Sequence, residues 1–315
     1  MCSSKRLFLL FIILILLLAG SFSAAAAEAA VAVTIVPQLE MVEAIAGDRV
    51  EAVEMIPRGF SPSNYAPSPA EMRAFNEASI YFSMGVPADM QNILPRAEEM
   101  SGLKVVKLFE RIESKYPHRY FGDKEKAGED AEDEYQEDEN DDHGHSHQGG
   151  RDPHIWLSPA RVSLMVEIMR DELIEILPKY EAEFKENAEQ YLEKLTAVDQ
   201  ENRELLAEYQ GQEILVYHPS FGYFTEHYGL EMLAIEKEGK EPGPRYLQEI
   251  IKYARQQGIK NVFYQAEIDS SRARAAAEEL GGEIIQLNPL APNYLDNLKV
   301  MAEKIAAVLA ERDDQ

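Results

Sequence analysis

Seven histidines are the residues of this chain best suited to holding a metal ion, and four of them fall within one stretch. Residues Asp141 to Pro159 read D-D-H-G-H-S-H-Q-G-G-R-D-P-H-I-W-L-S-P, and the stretch has two parts with different physics. His143, His145 and His147 alternate with Gly144 and Ser146 after a run of acids, with nothing apolar to bury. Imidazoles spaced this way among carboxylates can recruit divalent ions loosely, as an auxiliary metal-gathering loop, the alternative being a segment that only keeps the protein in solution. His154 is fenced by Pro153, Ile155, the only tryptophan (Trp156), Leu157 and Pro159. A histidine set among rigid and apolar residues has its ring direction decided by packing, which a precise metal ligand requires. The same setting also suits a core histidine bonded to a backbone carbonyl. The only cysteine is Cys2, so a metal held by the rest of the chain meets nitrogen and oxygen donors and no thiolate.

Composition narrows the classes. The chain has 315 residues, 31 basic and 56 acidic, for a formal charge of −25, with 45% apolar residues. Phosphate backbones and anionic lipid surfaces repel such a protein, which excludes nucleic acid as a partner and suits the gathering of cations. The length is enough for two domains of ordinary size. Lys5 and Arg6 precede the apolar run Leu7 to Leu18, and Ser21 to Ala27 is small and alanine-rich, the pattern of a secretory signal over residues 1–27. Leu18-Ala19-Gly20-Ser21 resembles a lipoprotein cleavage box, with Ser21 where the lipidated cysteine would stand. The expectation is therefore an exported protein, in the periplasm or on the outer face of the cytoplasmic membrane, without a lipid anchor at that position.

Behind the histidines the pattern alternates. Strands are expected at 32–36, 50–56, 79–84, 104–109, 214–217, 232–235, 261–265 and 283–287. Helices are expected at 38–46, from Pro69 with Ser68 as its cap, and at 158–177, 220–228, 244–257, 270–280 and 293–310. Strand–helix alternation predicts α/β lobes with parallel sheets, whose ligands sit beyond the carboxyl ends of the strands. Residues 123–150 interrupt the first lobe. Glu129 to Asp142 carries ten acids in fourteen positions, and repulsion at that density opposes packing. No Gly or Pro interrupts Lys179 to Gln210, where Tyr180, Phe184, Ala188, Tyr191, Leu195, Val198, Leu205 and Tyr209 recur at helical steps. That spacing predicts one long helix between an N-terminal lobe (28–177) and a C-terminal lobe (211–315), with 178–210 as the link.

The phrase D-P-H-I-W-L-S-P, together with V-P-Q-L-E-M-V-E-A-I-A-G-D-R-V at Val36 to Val50, Y-H-P-S-F-G-Y-F at Tyr217 to Phe224 and L-N-P-L-A at Leu287 to Ala291, resembles the cluster A-I solute-binding proteins. These are the zinc and manganese receptors of metal ABC importers, and the resemblance runs from about Val31 to the C-terminus. It implies two parallel-sheet lobes joined by one rigid backbone helix, with a single ion bound between them at four positions. His154 and His218 match two of those positions. Ser63, in Ser61-Pro62-Ser63-Asn64-Tyr65, stands where the family carries a histidine. Asn288 stands where it usually carries an aspartate. Two imidazoles, an amide oxygen and water leave the charge of the ion uncompensated, so another acid is needed. Glu267, two residues beyond a strand, is the candidate, with a solvated loop acid as its alternative reading; the family often has a glutamate where this chain has Gln265.

The resemblance thus implies a receptor, expected as a monomer, that delivers zinc to an ABC permease with its ATPase, manganese or another divalent metal being the alternative cargo. A surface adhesion or metal-buffering protein with the same fold and no transporter is the competing reading. A secreted metallohydrolase is the third, but neither H-E-x-x-H nor G-x-S-x-G occurs and no paired general base stands beside the two histidines, so the expectation is no enzyme. His118, in a polar turn, and His227, beside Glu226, are expected on the surface.

Overall fold

The computed structural model describes residues 27–122, 150–237, 239–268 and 270–313. Nearly all of the expected signal segment 1–27, and the insertion with His143, His145 and His147, lie outside the described residues.

Two four-stranded parallel sheets form the frame. The first has the order β2-β1-β3-β4, from β1 (Ala29–Ile35), β2 (Val50–Ile56), β3 (Ile80–Ser83) and β4 (Lys104–Lys107). The second repeats that order as β6-β5-β7-β8, from β5 (Glu213–Val216), β6 (Glu231–Ala234), β7 (Val262–Gln265) and β8 (Ile284–Leu287). Central strand β1 reads A-A-V-A-V-T-I and is buried without alternation from Val31 onward, as a strand covered by helices on both faces must be. In each sheet the strand order reverses beside the first strand, so β1/β3 and β5/β7 are the switch points where such sheets bind ligands.

Around the sheets pack α1 (Pro37–Ala46), α2 (Pro69–Phe75), α3 (Leu94–Glu99), α4 (Leu108–Glu113), α5 (Pro159–Ile176), α6 (Glu181–Leu206), α7 (Gly222–Tyr228), α8 (Pro244–Gln256), α9 (Ser271–Leu280) and α10 (Tyr294–Asp313). Ser68 does cap α2, in a reciprocal box: its hydroxyl accepts from Glu71 N–H, and the Glu71 carboxylate accepts from Ser68 N–H. The strand expected over 104–109 stops at Lys107, and Leu108–Glu113 is helix. Its apolar residues Leu108, Phe109 and Ile112 fit either structure over so short a run. The π-helical turn Asp89–Ile93 and α3 had no counterpart in the sequence pattern.

The link is α6, flanked by 3₁₀ turns at Pro178–Tyr180 and Ala207–Tyr209. Its 26 residues span about 39 Å at 1.5 Å each. The buried stripe is Phe184, Ala188, Tyr191, Leu195, Val198, Asn202 and Leu206. Asn202, the polar member, donates to Tyr228 Oη at 3.2 Å and to Leu298 O at 3.3 Å. Tyr191 donates to Glu40 of α1 at 2.8 Å, and the same oxygen accepts from Leu295 N–H of α10 at 3.3 Å. First helix, link and last helix are thus tied at one carboxylate. One apolar core continues from the first sheet across α5 and α6 into α7, β5 and α10, so the link is packed on both lobes. A second core lies between the C-terminal sheet and helices α8 and α9. Among the described residues no helix is long and apolar enough to cross a membrane.

Candidate metal centre

Each strand of the second sheet delivers a polar side chain just beyond its carboxyl end. His218 stands two residues past β5, Glu236 two past β6, Glu267 two past β7, and Asn288 directly after β8. His218 and Glu267 therefore flank the switch point of that lobe. The N-terminal lobe answers with His154, which comes from a different kind of support. It follows no sheet strand; it opens the 3₁₀ turn Ile155–Leu157 that leads into α5. Just upstream, Tyr120 and Arg151 form an antiparallel bridge, and Asp152 N–H donates to Arg119 O at 2.9 Å.

The two histidines meet across the lobes, their ring centroids 5.5 Å apart and their planes at 78°. Both are buried, each 9% exposed. Asp152 Oδ1 lies 2.8 Å from His154 Nδ1 and also accepts the His154 backbone N–H at 3.0 Å. Glu236 Oε2 lies 2.7 Å from His218 Nδ1. A carboxylate accepting at Nδ1 fixes the tautomer with the proton there, which leaves the Nε2 lone pair for an ion. Burial holds the His154 imidazole below its ordinary pKa, so it stays neutral and able to ligate. Trp156, whose ring lies 5.3 Å from that of His154, donates from Nε1 to Pro289 O at 2.9 Å, and Tyr294 Oη donates to Trp156 O at 2.8 Å. The D-P-H-I-W phrase is thereby bolted to the loop after β8. Near His218, Lys237 and Lys240 pair in a tight turn whose Gly239 has φ +71°, and a Cβ on Gly239 would come 3.1 Å from His218 Cε1. Only a glycine brings backbone this close to that ring.

The other expected positions are not gathered onto this pair. Ser63 is exposed, its N–H held by Ser61 Oγ at 3.3 Å, and no hydrogen bond joins it to either histidine. Asn288 uses its side-chain oxygen to accept the Leu290 N–H at 3.2 Å, closing its own loop. Glu267 is half-buried, one carboxylate oxygen has no hydrogen-bond partner among the described residues, and burial raises its pKa. Among the described residues no three His, Cys, Asp or Glu side chains are arranged to hold an ion. Gln265 points elsewhere, donating to Ser220 Oγ.

Two expectations about histidines are corrected. His118 is not on the surface: its side chain is 3% exposed, its Nδ1 has no partner, and burial lowers its pKa. His227 lies with Nε2 2.7 Å from Asp199 Oδ1 and 2.6 Å from Arg203 Nη2, its side chain only 10% exposed. A polar neighbourhood in sequence did not reveal that the His118 ring is buried or that α6 brings Asp199 and Arg203 onto His227. Sequence reasoning also missed Asp152 and Glu236 as the partners of these two histidines, His154 and His218. Asp152 was within reach of it, two residues from His154, whereas nothing local points from Glu236 to His218.

Two parallel-sheet lobes on a rigid helix, with an imidazole from each facing across the gap, define the class of metal-binding two-lobed receptors. The sequence profile of the family described as "Zinc-uptake complex component A periplasmic" matches residues 31–308, and the chain belongs to that family. It is 26% identical over 262 residues to the zinc-binding protein AdcA of Streptococcus pyogenes serotype M3, covering 82% of this chain and 50% of the relative. It thus spans about half the length of the streptococcal curated relatives it matches. A crystal structure of ZnuA superposes with a TM-score of 0.75 at 28% identity, covering 89% of this chain and 98% of that one. A zinc-bound ZnuA deletion mutant gives 0.72 at 28% identity, covering 88% and 96%.

Proposed function

We propose that this protein is the extracytoplasmic receptor of a divalent-metal importer, capturing zinc between its lobes and handing it to an ABC permease driven by an ATPase. The single observation that carries the reading is the His154–His218 pair, each ring held at Nδ1 by its own buried carboxylate. Nothing in that geometry supplies a general base aimed at a substrate, and we infer no catalysis. His154 and His218 are the primary donors. Glu267 is the anionic donor best placed to join them, because a half-buried carboxylate oxygen without a partner favours a cation beside it. Asn288 is the candidate for a neutral oxygen, and Ser63 occupies the family's remaining position as a weak donor. The insertion with His143, His145 and His147 serves as an auxiliary, looser site. Residues 28–177 and 211–315 act as the two lobes on the 178–210 link, and the protein works as a monomer without nucleic acid.

Zinc titration of the full chain against a chromophoric chelator tests the reading. One tight site is expected beside weaker ones that vanish when residues 123–149 are deleted. Absence of any tight site in the parent would rule the reading out and favour the metal-buffering alternative.

A further inference from the structure

Arg119 makes contacts that neither the fold nor the two histidines explain. It stands at the foot of the insertion, where the Asp152 N–H to Arg119 O bond sets it opposite the carboxylate that orients His154. Its Nε lies 3.5 Å from Asp152 Oδ2, an ion pair between two buried atoms that make no hydrogen bond among the described residues. Nη1 donates to Glu226 Oε2 at 2.5 Å, on α7, the helix that begins four residues after His218. The guanidinium lies over the backbone of Gly222, where a Cβ would fall 2.7 Å from Nε and 2.8 Å from Nη2. The Arg119 N–H donates to Tyr223 Oη at 2.8 Å, and Tyr223 Oη in turn donates to Asp152 O at 3.3 Å. The Arg119 side chain thus touches the carboxylate behind His154 and both Gly222 and Glu226 of the helix behind His218, while its backbone N–H holds Tyr223 of the same helix.

Resting on the reading of His154 and His218 as the metal donors, we propose that Arg119 is a positioning residue for metal capture. It clamps Asp152 against α7, so that the two imidazoles are held at the separation an ion needs. The orientation of His154 depends on Asp152, a buried carboxylate whose second oxygen, among the described residues, pairs with this guanidinium. Loss of the clamp frees the Asp152 side chain and the lobe spacing together. Outer-shell partners of ligating histidines change metal affinity by about 10–100-fold, and Arg119 acts one step further out, so the lower end of that range applies.

The experiment compares the full chain with Arg119→Ala, Arg119→Lys, Glu226→Gln, Asp152→Asn and His154→Ala. Zinc affinity is read by chelator competition, the absorption spectrum of the Co²⁺-loaded protein reports ligand geometry, and the metal-free melting temperature reports the fold. Arg119→Ala is expected to lose roughly tenfold in affinity and to shift the Co²⁺ spectrum, with lysine recovering part of both. In the Asp152→Asn background the same change should cost less than about twofold, since the two act through one path. Native affinity and spectrum in Arg119→Ala, with His154→Ala inactive, would overturn the positioning role alone. Native affinity in His154→Ala would overturn the metal-site reading and this proposal with it. If Arg119→Ala does not fold, Glu226→Gln keeps the Asp152 contact and carries the test: an unchanged spectrum and affinity there would refute the clamp.

Discussion

The two halves of the candidate site solve one problem in different ways. Each histidine has a buried carboxylate at Nδ1, at 2.8 Å for His154 and 2.7 Å for His218. For His154 the carboxylate is two residues away in the chain, bonds the histidine backbone as well, and rests between an arginine and a tryptophan-bearing turn. For His218 it comes from the end of the neighbouring strand, eighteen residues on, and the ring is covered by a glycine turn at the edge of the lobe. A local partner survives local rearrangement, whereas a partner brought by strand pairing depends on the whole sheet. The N-terminal half should therefore be the stiff half, and the C-terminal half the adaptable one.

The largest effect expected is loss of either ligand. His154→Ala and His218→Ala should each weaken zinc binding by more than about 100-fold, beyond what outer-shell changes cost. Calorimetric titration of protein lacking residues 123–149 is the measurement, and retention of tight binding in both variants would place the site elsewhere.

The carboxylates come next and separate the halves. Asp152→Asn and Glu236→Gln should each cost about 10–100-fold in affinity. The former should leave the metal-free melting temperature lower as well, because Oδ1 also accepts a backbone N–H that the amide serves less well. Equal thermal effects would remove the distinction between a stiff and an adaptable half.

Gly239→Ala probes the turn over His218. An L-residue in the left-handed region costs roughly 1–2 kcal/mol, and the new methyl meets Cε1 at 3.1 Å. Zinc affinity should fall by several-fold with faster metal release in stopped-flow exchange, while a substitution at Gly59, which has open space, should leave release unchanged.

Acid should act through two buried rings of the N-terminal lobe. Burial lowers the pKa of both His118 and His154, while their unfolded values lie near 6.5. Between the folded and unfolded values the unfolded chain binds more protons, so stability falls as pH drops below about 6.5 and is fully present above it. Melting of metal-free protein from pH 7.5 to 5.5 should show this decline, and His118→Gln should flatten part of it. A melting temperature independent of pH over that window would contradict the burial of these rings.

Restoring the family's ligand types should act unequally, and the exposed position gives the smallest effect of all. Asn288→Asp adds a charge on a loop already directed beyond β8 and should tighten binding by roughly tenfold, about 1.4 kcal/mol. Ser63→His, in an exposed loop, should by itself change affinity by less than about threefold, roughly 0.7 kcal/mol. A large gain from Ser63→His alone would mean that its loop closes over the ion.

Much of the frame was legible in advance because its signals are local. The run Val50–Ile56, the Ser68 cap and the ends of the helices expected to stop at 228 and 280 each depend on nearby residues, and the structure has them as expected. His154 and His218 were legible too, from the phrases around them. What escaped was decided by packing between distant segments. His118 and His227 carry polar neighbours in the chain, yet the His118 side chain is 3% exposed and α6 lays Asp199 and Arg203 against His227, which sequence adjacency does not reveal. Chain order by itself determined two α/β lobes and a long link, because periodicity and strand–helix alternation are short-range consequences of backbone geometry. The tertiary structure alone decided that Glu236 would stand behind His218, that Arg119 would bridge Asp152 to α7, and that Ser63 would remain outside. Those outcomes depend on which strands pair and how far apart two lobes settle, and such distances are set by the whole core at once.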